Sequence, residues 1–295
     1  MSTRRVLTFA GATVALAATA YGFTTRQAAL AEARGEWVSV IDGVKVEYHL
    51  TPAAVAALPT LSSTDFDVDS AGHILISSDS GLLELTTGSN QVKVDRLTSR
   101  APESFALDGQ GALLGVSERL FGQWQDTAFT QVVPLPYGGM RLMPSTLAGV
   151  TYLIGGIGQS ARRIYTFFAD GTMHIEAEIP DTVVAVTDNA KAVYVASAAN
   201  LYRVTSDTIV VIARLPASVG HIRSIAVTPA DDALYFATDS VTYVMSGIAA
   251  VALAQDIGGA LRMRNGRLYV WSPSRRLLVS LSSVTEAMEQ LKADL

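Results

Sequence analysis

The sequence predicts an all-β fold, a six-bladed β-propeller, on three observations. A strand, turn, strand, turn, strand pattern beginning at Phe66-Asp-Val-Asp-Ser-Ala-Gly-His-Ile-Leu-Ile-Ser-Ser-Asp-Ser-Gly-Leu-Leu-Glu-Leu85 returns five more times. Aligned on the middle of the second strand, at Leu75, Leu114, Leu153, Tyr194, Tyr235 and Tyr269, the copies are spaced at steps of 39, 39, 41, 41 and 34 residues. Gly, Asp and Asn punctuate each copy, which breaks a helical reading and supplies the positive φ that tight hairpins need. Four short strands in about 40 residues is the pattern of a propeller blade.

In chain order, Thr3-Arg4-Arg5 precedes Val6 to Phe23, a run without a charged residue, and Arg26 comes next. A basic start and an apolar stretch are the parts of an export signal. Arg4-Arg5 followed by Val-Leu also resembles a twin-arginine signal. Two outcomes stay open. Cleavage at Ala18-Thr19-Ala20 or Ala29-Leu30-Ala31 would release the remainder, or residues 6–23, long enough to span a bilayer as a helix, would stay as a single-pass anchor. The positive-inside rule places the rest on the periplasmic or extracytoplasmic side in both cases. The expected division is therefore a signal peptide or signal anchor at 1–25, a linker at 26–37, the propeller at 38–283 and a C-terminal helix at 284–295. In that helix, apolar residues 284, 287, 288, 291 and 295 share one face.

Within the propeller, first and second strands are joined by the turns Asp69-Ser-Ala-Gly72, Asp108-Gly-Gln-Gly111, Pro229-Ala-Asp-Asp232 and Asn265-Gly266. Third strands read Leu82 to Leu85, Arg163 to Phe167, Leu201 to Val204, Val241 to Val244 and Arg276 to Val279. A fourth, such as Ile209 to Ile212, often runs into a Leu-Pro like Leu215-Pro216. The sixth copy lacks its fourth strand, because the β pattern ends at Ser283. Upstream of the first copy, Val44-Lys-Val-Glu-Tyr-His-Leu50 leads into Leu58-Pro59 as fourth strands do elsewhere. This N-terminal strand is therefore expected to complete the last blade and remove an open edge that would invite aggregation.

Through Val68-Asp-Ser-Ala-Gly-His-Ile-Leu-Ile76 and Val227-Thr-Pro-Ala-Asp-Asp-Ala-Leu-Tyr-Phe236, the chain resembles the six-bladed propellers of the NHL and SMP-30/gluconolactonase-like group. The resemblance implies the fold. SMP-30-like lactonases hold a divalent metal at the axis, with ligands beginning from a Glu-Gly-Pro before the first inner strand. Here that place reads Ser63-Thr64-Asp65-Phe66, and no metal ligand carries over.

Composition narrows the function. With 49% hydrophobic and 17% charged residues the chain can bury a large core, and its mean hydropathy of +0.30 owes part of its height to the N-terminal run. There are no cysteines, which excludes disulfides, thiol chemistry and lipoprotein acylation. A net charge of −5 without basic runs argues against nucleic acid, which needs clustered Lys and Arg.

Candidate chemistry is sparse. Asp65-Phe-Asp67-Val-Asp69 places three carboxylates on one strand face, but a calcium loop would need a glycine next and an acid at its twelfth position, where Ile76 stands. The competing reading is an inner strand entering an Asp-Ser-Ala-Gly turn. Gly156-Ile-Gly158-Gln-Ser-Ala161 spells a dinucleotide fingerprint, yet Arg162-Arg-Ile-Tyr-Thr-Phe-Phe168 behind it reads as a blade strand where a helix is required. No Gly-x-Ser-x-Gly, P-loop or His-Glu-x-x-His occurs, and His49, His73, His174 and His221 are scattered.

The best-founded constellation is a channel-mouth ring of one charged residue per blade: Asp65, Glu103, Arg141, Asp181, Arg223 and Arg262, at spacings of 38, 38, 40, 42 and 39. It reads either as a polar mouth gripping a ligand or as a plug of mutual ion pairs. Asp67 and Arg262 share a register where other blades carry Ala106, Ala185 and Ala226, so they are expected to pair where blade six meets blade one.

The resulting expectation is a non-catalytic, exported binding or scaffold module without a catalytic residue, a metal or a cofactor. Its partner would be a protein, such as an integral membrane complex, with membrane contact through residues 6–23 if uncleaved. The alternative is a calcium-dependent hydrolase or lactonase using Asp65, Glu103 and Asp181. A third reading is a sensor of small molecules or sugars.

Overall fold

Turn chemistry and alternation are translated directly into hairpins. The computed structural model describes residues 43–50 and 65–293, apart from 79, 88–91, 109, 126–127, 148, 169–170, 207, 229–232 and 247–248. The expected export segment, linker and Leu58-Pro59 lie outside the described residues. The first strand, β1 (Lys45–Tyr48), stands apart from the blade that comes next in sequence. Blade one is β2 (Phe66–Val68), β3 (Ile74–Ser78), β4 (Gly81–Thr87) and β5 (Val92–Arg96). Blade two is β6 (Ser104–Leu107), β7 (Leu113–Ser117), β8 (Leu120–Gln125) and β9 (Ala128–Pro134). Blade three is β10 (Met140–Pro144), β11 (Val150–Gly155), β12 (Arg163–Phe168) and β13 (Met173–Glu178). Blade four is β14 (Ala185–Asn189), β15 (Ala192–Ala196), β16 (Asn200–Val204) and β17 (Ile209–Arg214). Blade five is β18 (Ser224–Val227), β19 (Leu234–Ala237), β20 (Thr242–Ser246) and β21 (Ala249–Ala254).

Blade six joins the two ends of the chain. Its inner strands are β22 (Ala260–Arg264), β23 (Arg267–Ser272) and β24 (Leu277–Ser282), and its outer strand is β1. The closing pair is antiparallel, from Lys45 opposite Ser282 to Tyr48 opposite Val279, and the His49 N–H continues it to the Leu278 carbonyl at 2.9 Å. The expected closure is thus the observed one. The C-terminal helix α1 (Val284–Ala293) comes after, and its buried Val284 and Ala287 pack onto the blade-five and blade-six cluster.

The core lies between blades. Phe66, Phe105, Phe236 and Trp271 are fully buried, and six apolar clusters sit at the six blade contacts. At the contact of blades six and one, Tyr269, Trp271 and Leu278 meet Phe66, Ile74 and Ile76. The contact of blades one and two is thinner, with Leu75, Leu82, Phe105 and Leu107.

Two details of the repeat differ from the sequence reading. In blade three the residue facing the next blade is Tyr152, opposite Met143, whereas Leu153 turns back toward blade two. Residues 151–154 are all buried, so no polar position marks which face is which. In blade four the position equivalent to Ala106 and Ala226 is Thr187, opposite Tyr194, and Ala185 lies two residues earlier.

Closure carries a pH dependence. His49 is buried, its Nε2 lies 2.9 Å from Ser280 Oγ, and burial lowers its pKa below 6.5, opposed by Glu47 and assisted by Arg267. The folded chain therefore favours the neutral ring, and the unfolded chain takes up the proton more readily. This contribution is complete above pH about 6.5 and is lost as the pH falls below it. The melting temperature should fall between pH 7.5 and 5.5 in the parent and less steeply in His49→Gln; identical slopes would refute the assignment.

Candidate functional site

The innermost strand of each blade has one edge that no strand pairs, and its buried N–H groups need acceptors. Side chains of the preceding blade supply them. Asp65 Oδ2 accepts from the Phe105 N–H at 3.3 Å and Asp67 Oδ2 from the Leu107 N–H at 2.8 Å. Ser104 Oγ accepts from the Leu142 N–H and Ser224 Oγ from the Leu261 N–H, both at 3.0 Å. Between blades three and four the direction reverses. Buried Asp188 accepts from the Ser145 hydroxyl, the Thr146 N–H and the Tyr152 hydroxyl, and burial followed by the Asp188 charge pushes the Tyr152 phenol strongly up.

The expected seam pair is corrected by the contacts of Asp67. Asp67 is gripped by Arg264, with Nε and Nη2 each 3.1 Å from a carboxylate oxygen, and not by a hydrogen bond from Arg262. The residue of β22 that reaches Asp67 therefore lies two positions beyond the one that shares its register. Arg264 was legible in principle, since it lies two residues after Arg262 on the same strand face.

The ring of six does not hold together, because its members do not share a register: Arg141 and Arg262 lie within β10 and β22, whereas Asp181 lies ahead of β14. Asp65, Arg141, Arg223 and Arg262 do line one cavity of about 350 Å³ at the channel mouth, but Glu103 and Asp181 are not among its walls. Glu103 is exposed. Asp181 accepts from the Tyr202 hydroxyl at 2.6 Å, Asn200 Nδ2 at 2.6 Å and the Ser197 hydroxyl at 3.1 Å, contacts that lower its pKa, and burial with the Asp181 hydrogen bond raises that of Tyr202 to about 12. The cavity gains Asp239, which the sequence reading missed and which binds Arg223 through two hydrogen bonds of 2.9 and 3.0 Å.

At the centre stands Arg262. It is 6% exposed, its guanidinium lies 5.5 Å from the Phe66 ring centroid, and its Nη1 donates to the Leu261 carbonyl at 2.8 Å. Its buried Nε has no hydrogen-bond partner among the described residues. Burial lowers its pKa, countered first by Asp67 and then by Asp65. Arg141, exposed at the mouth, donates to the Val184 carbonyl at 3.0 Å.

The remaining candidates have structural duties. Asp69 Oδ1 accepts from the Ala71 and His73 N–H groups at 2.9 and 2.8 Å, holding the first turn. His73 Nδ1 sits 3.1 Å from both Asp69 Oδ2 and Glu84 Oε1, at the far end of β2 from Asp65. The three acids 65, 67 and 69 therefore do not converge on one cation. Gly158–Arg162 forms a 3₁₀ turn that passes into β12, too short to present the helix N-terminus that a pyrophosphate requires. His174 packs edge-on against Phe168, and His221 is exposed.

No protein-family model matches the chain, and no curated protein does. Among solved structures it is similar to a streptogramin B lyase, at 12% identity and a TM-score of 0.53, over 81% of this chain and 97% of that one. It is also similar to a putative gluconolactonase, at 12% and 0.56, over 82% and 93%. A third is the calcium structure of a Trichoderma reesei carbohydrate-active enzyme, at 10% and 0.58, over 82% and 96%. These likenesses establish the shared propeller fold and match the resemblance seen in the sequence.

The corrected pairing is testable by double-mutant cycles. Asp67→Ala should cost about 3–5 kcal/mol in chemical denaturation, because it strands a guanidinium and a buried N–H. The coupling of Asp67 to Arg264 should exceed its coupling to Arg262; the reverse order would refute the pairing.

Proposed function

We propose that the chain is a non-catalytic, exported propeller that serves as a binding or scaffold module, tethered to or resting on an integral membrane complex. One observation carries the reading: Asp65, Glu103 and Asp181, the acids that the calcium-dependent alternative would use, do not share one cavity, and Asp65 and Asp181 already hold neighbouring groups. Export is supported by Arg4-Arg5 and the apolar run to Phe23. A protein partner is supported by the outer edge of blade four, where Ile209, Val210 and Val211 are 44%, 51% and 47% exposed in succession. An outer strand of this kind is normally blunted by charge or covered.

The second reading, a calcium-dependent hydrolase or lactonase, draws on the names of the putative gluconolactonase and the calcium-bound carbohydrate-active enzyme. It would route metal through Asp65, whose Oδ2 is engaged by the Phe105 N–H.

Purification from native membranes in mild detergent, with intact-mass measurement and metal analysis, separates the two. A companion membrane protein should copurify with the parent and be lost from Val210→Glu, without stoichiometric calcium or zinc. A lone monomer, or stoichiometric calcium that disappears in Asp65→Asn, would overturn the proposal.

A further inference from the structure

The channel mouth carries charge that its own residues do not balance. Among the described residues, Arg141, Arg223 and Arg262 line the cavity against two acids, Asp65 and Asp239, and Asp67 behind Arg262 is already paired with Arg264, leaving one positive charge in excess. The acids are also the more committed groups. Asp239 is held by both arms of Arg223, and Asp65 accepts from a backbone N–H of blade two. Arg262 is the reverse case. A guanidinium has five N–H donors, and burying one without an acceptor costs more than any neutral group would. Yet Arg262 is only 6% exposed in the cavity wall, its Nε unpartnered among the described residues, and its Nη1 spends itself on the carbonyl of the preceding residue.

We propose that this cavity is a binding site for a small monocarboxylate, whose carboxylate docks on Arg262 and Arg141. The inference rests on the reading of the propeller as a binding module and names the ligand class of its mouth. Three features argue for this class. A carboxylate has two oxygens and can accept one charge-assisted hydrogen bond from each of two guanidinium groups. A single negative charge cancels the excess of one, whereas a phosphate dianion would leave the cavity negative. A volume of about 350 Å³ lies at the small-ligand end of binding cavities and excludes a folded partner from the axis. The sides of the cavity suit a body that is part polar and part apolar, with Ser272 and Ser274 among its walls beside Met143 and Val184.

The experiment is calorimetric titration of the full chain, at constant ionic strength in chloride, with acetate, glucuronate, glucose and inorganic phosphate. Acetate and glucuronate should bind saturably at one site, glucose should not, and phosphate should bind more weakly than either carboxylate. Arg141→Gln, at an exposed position, should retain the parent's circular dichroism and melting temperature while weakening carboxylate binding by about tenfold, the effect of one charge-assisted hydrogen bond. Arg262→Met should abolish binding while the fold persists, since replacing a buried charge by an apolar group of similar length is tolerated. If the variant unfolds, Arg141→Gln alone decides.

Glucose binding as well as glucuronate, phosphate binding more tightly than carboxylate, unchanged affinity in Arg141→Gln, or no saturation by either carboxylate would each overturn the site. The two proposals fail separately. A carboxylate that binds without being turned over, in a protein that copurifies with nothing, preserves the site and removes the scaffold role. A protein that keeps its companion but ignores carboxylates does the opposite.

Discussion

One buried carboxylate ties three blades together. Asp67 is wholly inaccessible to solvent, and it accepts from the Leu107 N–H of blade two while holding the Arg264 guanidinium of blade six. Arg264 also reaches the Leu107 carbonyl at 3.4 Å. A ring of sheets has a general difficulty that this contact answers: innermost strands converge on an axis, and each leaves a row of peptide groups on its unpaired edge. Water cannot serve those that are buried, so a side chain of the adjacent blade must. Asp65 does the same on the same strand, and Ser104 and Ser224 do so for others, whereas Asp67 also bridges the place where the two ends of the ring meet.

Apolar packing and polar stapling combine in different proportions from one contact to the next. The contact of blades six and one has a large aromatic cluster around Trp271 and Phe66, while the contact of blades one and two has a small one of four buried residues. It is at the smaller contact that both Asp65 and Asp67 accept from backbone N–H groups. Burial of aliphatic side chains contributes roughly 1.5–3 kcal/mol each, so a short cluster leaves more of the cohesion to hydrogen bonds. Asp188 gives the contact of blades three and four a third, independent staple. The consequence is that Asp65, Asp67 and Asp188 are committed to cohesion between blades.

Much of the architecture was legible because it depends on local rules. The Asp69 turn, whose carboxylate accepts from the Ala71 and His73 N–H groups, is written in four residues. The Asn265-Gly266 turn is likewise local, with Asn265 at φ 52° and Gly266 at φ 71°. Closure by residues 45–48 was legible from a missing fourth strand at one end and a spare strand at the other. Blade three resisted because Thr151, Tyr152, Leu153 and Ile154 are all buried, and a run buried on both faces carries no alternation from which to read register.

The sequence by itself determined the number of blades, the hairpins within them and the pairing of the chain's ends, because turn geometry and two-residue periodicity act over a few neighbours. Which charges meet was decided only by the tertiary structure. Near-equal spacing suggested that Glu103 and Asp181 stand level with Asp65 and Arg223, but Asp65, Glu103 and Arg223 directly precede their inner strands while Asp181 lies further ahead of β14, and no local rule fixes where an inner strand begins. Packing at the seam brings Arg264 and not Arg262 onto Asp67, and it leaves Arg262 buried in the wall of the mouth with an Nε that has no partner among the described residues.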